Sequence, residues 1–84
     1  MNKEQIAAAH GHSMSNQNSL AKSRRCGCFY CLHIFDPAEI TDWIPDKHGP
    51  TAMCPYCGID SVIGEDSGYP ITEAFLKDMK EYWF

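Results

Sequence analysis

The predicted fold is a small α+β domain stabilised by a metal, with a short helix between two cysteine hooks and an amphipathic helix near the C-terminal end. Three observations predict it. Cysteines recur in two pairs with the same two-residue gap, Cys28–Cys31 and Cys54–Cys57. Helix-start signals follow each pair. The chain, at 84 residues, is close to the roughly 70–80 residues below which one apolar core seldom holds a fold unaided.

The hooks Cys28-Phe29-Tyr30-Cys31 and Cys54-Pro55-Tyr56-Cys57-Gly58 each bring two sulfurs to one tight turn, and 22 residues separate them. A tetrahedral metal site takes four soft ligands, with sulfur about 2.3 Å from the ion. A two-residue gap lets one turn supply half of that set while its amides face the thiolates. The spacing is that of structural zinc sites. Cys28, Cys31, Cys54 and Cys57 are therefore the expected ligands, of Zn2+ with iron as the alternative, because tetrahedral S4 suits both. Four filled positions leave no place for a catalytic water, so a non-enzymatic metal is expected. Cys26 is left over as a buried thiol, a redox-sensitive neighbour of the site or an alternative ligand. A structurally inert fifth cysteine is the plainer reading; in the redox-sensitive one, Arg24 and Arg25 beside it would lower its pKa.

The first twenty residues hold no apolar run of signal-peptide length, and no stretch approaches the ~20 apolar residues of a membrane span. A reducing cytoplasmic setting is expected, with cysteines on metal rather than in bridges. The odd count of five cysteines agrees. Charge is split along the chain: residues 1–25 carry a balance of +3 and residues 26–84 a balance of −7. An acidic domain without a basic stripe is a poor match to a phosphate backbone. Nucleic-acid binding stays as a lesser alternative through Lys22, Arg24 and Arg25.

The elements follow in order. Residues 1–25 read as a polar arm, partly flexible or helical, ahead of a domain at 26–84. Lys3 to Ala9 favours one or two helical turns, marginal by themselves. Gly11 to Asn18 reads as loop, and Ser19 to Arg25 as a brief helix. His10-Gly11-His12 offers two imidazoles for a metal or a base, although a solvated pair is the plainer reading. Phe35-Asp36-Pro37-Ala38-Glu39-Ile40 starts a helix, with Asp36 as cap, Pro37 in the first turn and Glu39 closing a capping box. Ile40, Trp43 and Ile44 are its expected apolar face, and Pro45 ends it. His48, in the following turn, is a reserve ligand that four thiolates make unnecessary. Thr51-Ala52-Met53 and Ile59, Val62 and Ile63 are expected to pair as a hairpin tipped by the metal. The acids and serine between Asp60 and Asp66 read as a solvated turn. Thr72 then caps a helix whose stripe is Phe75, Leu76, Met79, Tyr82 and Trp83. That stripe is expected as core, with a partner-binding helix as the rival.

Residues 26–84 resemble a family of short bacterial proteins described only as cytoplasmic proteins. The resemblance rests on Cys-Gly-Cys-Phe-Tyr-Cys at 26–31, Cys-Pro-Tyr-Cys-Gly-Ile-Asp-Ser-Val-Ile-Gly at 54–64 and the closing aromatic helix, and Ala9-His10-Gly11-His12-Ser13 extends it upstream. It implies a zinc-ribbon fold and a cytoplasmic location, and brings no activity. A looser resemblance, to rubredoxin-like domains, rests on Phe35-Asp36-Pro37 after the first hook and on the Cys-Pro-x-Cys-Gly form of the second. Leu32 stands where those domains have glycine, so one amide-to-sulfur bond is expected to be missing, and with it an electron-transfer iron site.

The function expected is a zinc-binding interaction module for another protein, contacting it through the last helix or through Phe29, Tyr30 and Tyr56. The rival readings are a redox protein, with a rubredoxin-like iron site or a Cys26 thiol switch, and a nucleic-acid-binding zinc ribbon.

Overall fold

Cys26-Gly27-Cys28 forms the middle strand, β1 (Cys26–Cys28), of a three-stranded antiparallel sheet. On one side it pairs with β2 (Ile34–Phe35), Cys26 opposite Phe35. On the other it pairs with the strand from Val62 to Gly64, Cys28 opposite Val62. Side chains alternate across a strand, so Cys26, Cys28 and Val62 enter one core while Ile63 enters the other. The sheet thus divides two small cores. The computed structural model describes all 84 residues.

A second, two-stranded sheet joins β3 (Trp43–Ile44) to β4 (Thr51–Ala52), with Trp43 opposite Ala52. This corrects two expectations. The strand that enters the second hook pairs with β3, and the strand that leaves it, β5 (Val62–Gly64), pairs with β1, so the expected hairpin does not form. The helix expected after Asp36 is one 3-10 turn, Pro37–Glu39. Its capping box is complete: the Ala38 amide donates to Asp36 Oδ1 at 2.9 Å and the Asp36 amide to Glu39 Oε2 at 3.2 Å. Ile40 is already extended, and Ile44 before Pro45 is held out of helical geometry. Trp43 and Ile44 therefore serve a strand rather than a helical face.

The C-terminal helix forms as expected, α3 (Glu73–Trp83) once the two helices before it are numbered, with Thr72 Oγ1 accepting from the Phe75 amide at 3.2 Å. Its buried stripe is shorter than the apolar pattern: Phe75, Leu76 and Met79 are buried, whereas Tyr82 and Trp83 are exposed. Gly27 makes the close packing possible. A Cβ there would lie 2.7 Å from Leu76 Cδ1.

Residues 1–25, expected as an arm, cover both faces of the sheet. Helix α1 (Lys3–Ala9) places Ile6 and Ala9 in the core under α3, and α2 (Gln17–Ala21) places Leu20 in the core around the cysteines. A 3-10 turn, His10–Ser13, links them where a loop was expected. Buried Asn16 holds the segment down: its Nδ2 donates to the Val62 carbonyl at 2.9 Å and its Oδ1 accepts from the Ala52 amide at 3.0 Å. One side chain therefore satisfies buried backbone groups of both sheets, which would otherwise cost about 1–3 kcal/mol each. The ends of the chain also meet. The Met1 amine lies 4.0 Å from Asp78 Oδ2, and Trp83 Nε1 donates to the Ile6 carbonyl at 3.4 Å. No helix is long and apolar enough to cross a membrane.

Candidate metal centre

Both hooks fold by the same local rules. In the first, the Cys28 amide donates to the His33 carbonyl at 3.0 Å and the Leu32 amide to the Cys28 carbonyl at 2.8 Å. In the second, the Cys54 amide donates to the Ile59 carbonyl at 2.9 Å and the Gly58 amide to the Cys54 carbonyl at 2.9 Å. Each turn closes through a residue of positive φ, +69° at Leu32 and +78° at Gly58. Leucine adopts the left-handed geometry that glycine takes in the other hook, at a cost of roughly 1–2 kcal/mol.

The four hook sulfurs lie within 4.8 Å of one another. Two separations cross between the hooks, Cys28 to Cys57 at 3.6 Å and Cys31 to Cys54 at 3.7 Å. A tetrahedron with 2.3 Å bonds has edges of about 3.8 Å, so the spacing suits a bound ion. The set can hold a metal, and all four expected residues are in it. His48 is not: it sits in an exposed turn, where its amide donates to Ser15 Oγ at 3.3 Å.

The sulfurs differ in their surroundings. Cys28 and Cys54 are buried, whereas Cys31 and Cys57 are partly exposed. Burial pushes Cys31 up to about 11 and Cys57 above its ordinary range, in each case with the adjoining Cys28 sulfur adding to the rise. Burial acts on Cys28 too, but the Ser61 hydroxyl and the Cys31 and Tyr30 amides outweigh it and hold this thiol below its ordinary value. A metal would displace the remaining protons, as thiolate ligation requires.

Two contributors escape a reading by cysteine spacing. Buried Ser61 places Oγ 3.0 Å from Cys28 Sγ; in the sequence it is one polar residue among the acids of an expected solvated turn. His33 places Nδ1 3.3 Å from Cys31 Sγ and stacks on Tyr56 of the other hook, with centroids 4.2 Å apart and planes 4° from parallel. Tyr56 in turn donates its hydroxyl to Glu39 Oε1 at 2.5 Å. A histidine two residues after a cysteine is no spacing signal, and it is the fold that brings Tyr56 onto it.

The structure also places Cys26, the histidine pair and Phe29. Cys26 is fully buried and set against the Phe35 carbonyl at 3.5 Å, and burial, with the Cys54 and Asp36 charges adding, pushes its thiol up to about 12. Arg24 and Arg25 do not activate it; both are exposed, and Arg25 donates to the Ile71 carbonyl at 3.3 Å. His10 and His12 diverge, His10 onto Trp83 at 4.2 Å and His12 toward Tyr69 at 5.6 Å between centroids, so they form no joint site. Phe29, expected at a contact surface, is buried in the core, whereas Tyr30 and Tyr56 are exposed.

The class that fold and site define is a small α+β domain with a four-cysteine cluster able to hold a metal ion. No family model, curated protein or solved structure matches the chain.

Proposed function

We propose that this chain is a small zinc-binding protein of the zinc-ribbon kind, in which Zn2+ on Cys28, Cys31, Cys54 and Cys57 stabilises the fold and an exposed aromatic surface binds another protein. The observation that carries the reading is the sulfur geometry: four thiols from two matched turns at the separations of a tetrahedral S4 site. Such a site is closed by its own ligands, which favours a structural metal over a hydrolytic one. The cytoplasm is the proposed compartment, because reduced thiols are needed for metal binding. Kinship with the short bacterial cytoplasmic proteins belongs to the same proposal.

The partner surface combines Tyr30 with the end of α3. Tyr30, Tyr82, Trp83 and Phe84 are all exposed, and the Tyr30 and Phe84 rings meet edge-on at 4.9 Å. Aromatic residues of this kind are enriched at protein interfaces. A second reading, a rubredoxin-like iron site, gains from one observation: both hooks close through a residue in the left-handed region, Leu32 in the first and Gly58 in the second.

Metal analysis of protein purified without added metal is the test. One equivalent of zinc, lost to a strong chelator together with helical circular dichroism, is the expected result. A metal-free chain with an unchanged melt overturns the reading, and red protein with one iron and a reversible one-electron couple selects the alternative.

A further inference from the structure

The four sulfurs are unequally protected, and we infer that Cys57 is the ligand at which the centre is modified by soft electrophiles, the thiolate whose loss starts metal release. The inference rests on the tetrathiolate reading above. A metal-bound thiolate reacts through its lone pairs, and each N–H or O–H donor and each shielding group withdraws some of that reactivity. Cys28 is buried and receives three donors: the Ser61 hydroxyl at 3.0 Å, the Tyr30 amide at 3.4 Å and the Cys31 amide at 3.5 Å. Cys54 receives the Tyr56 amide at 3.4 Å and is also buried. The contest is between the two partly exposed sulfurs.

Cys31 has the His33 side chain, with Nδ1 3.3 Å from its sulfur. A thiolate carries no proton, so the favourable contact is the tautomer in which Nδ1–H donates. The ring is braced for it, stacked on Tyr56, which is tied to Glu39. Cys57 has only the Cys28 sulfur at 3.6 Å and no side-chain donor from outside the cluster. It is both accessible and the less hydrogen-bonded of the pair. His33 is thus a positioning residue that steers attack to the second hook.

The probe is N-ethylmaleimide. The Cys57 sulfur adds to one alkene carbon, the C=C π bond breaks, the neighbouring carbon takes a proton from water, and the sulfur leaves the metal as a thioether. Zinc-loaded full-length protein is treated with less than one equivalent, native mass spectrometry reports bound zinc, and peptide mapping locates the first adduct. Cys57 is expected to lead Cys31 by about tenfold, the scale of one hydrogen bond to a charged group, with Cys26, Cys28 and Cys54 unlabelled while zinc is bound. His33→Ala brings Cys31 up to Cys57, whereas Ser61→Ala leaves the order of those two unchanged. First labelling at Cys31, or equal labelling indifferent to His33→Ala, overturns the inference with zinc still bound. A chain that holds no zinc before treatment overturns the metal reading itself.

Discussion

The two hooks share a backbone and differ in what anchors them. The first opens from the middle strand of the larger sheet, and its second residue, Phe29, is buried in the core under α3. Pro55 stands at the same place in the second hook and is exposed, and that hook rises from a sheet of two short strands. Ser61 and His33 serve sulfurs of the first hook, and the second has no such side chains. A local turn can therefore repeat faithfully while its stability is set elsewhere. The first hook is a product of the fold; the second is tied down by the Tyr56–Glu39 contact.

The largest effect is expected from removing what joins them. On the zinc reading proposed above, chelation should withdraw the folding free energy that a structural zinc supplies, about 10–16 kcal/mol in small fingers, and a melt followed by circular dichroism reads it. In the metal-bound protein the comparison sharpens by hydrogen exchange. The Cys54 and Gly58 amides should exchange faster than those of Cys28 and Leu32, since local opening follows local packing. Equal protection in both hooks would remove the distinction.

Asn16→Ala comes next. It strands the Ala52 amide and the Val62 carbonyl, on strands that lead into and out of the second hook. A loss of about 2–4 kcal/mol in denaturant titration is expected, and a loss under 0.5 kcal/mol would mean the arm is not integral.

A smaller pair tests the turns. Nothing lies within 4 Å of a Cβ built on Gly58, so Gly58→Ala costs only the left-handed backbone, about 1–2 kcal/mol. Leu32→Gly relieves the same strain but removes a side chain packed against the core, so its net effect should lie within about 1 kcal/mol of zero. A large loss in Leu32→Gly alone would show that packing, rather than φ, decides the first hook.

Asp46 should give the smallest effect. It accepts from Thr51 Oγ1 at 2.7 Å and from the Lys47 amide at 2.8 Å, and these bonds hold its carboxyl below the ordinary carboxylate range. A depressed folded-state value contributes stability above the unfolded pKa, near 3.9, and loses it as pH falls through the lower folded value. Asp46→Asn should therefore be slightly less stable than wild type at pH 7, with the gap closing in acid. The gap between the two proteins, rather than the stability of either alone, is the readout.

Much of the centre was legible because its rules are local. Cysteine spacing identifies the four sulfurs, and capping chemistry locates the turn after Asp36 and the start of α3. What escaped was non-local. Strands of two or three residues carry no periodicity, so their partners could not be read, and the expected hairpin was wrong. Ile6 and Leu20 are isolated apolar residues in polar surroundings, and only the two half-covered cores give them a purpose. Leu32 defies its own backbone preference because the turn over-determines it. Ser61 and His33 meet sulfur by tertiary placement alone.

The meeting of the chain ends has a consequence for connectivity. Asp78, which lies beside the Met1 amine, is six residues of helix from Phe84, about 9 Å. A short linker can therefore close the chain into a ring, and the exposed turn at Lys47 and His48 offers a place to reopen it. The resulting permutant would meet the ribosome with its second hook first and carry α1 and α3 as neighbours in one continuous segment. Nothing in the packing described requires the original order.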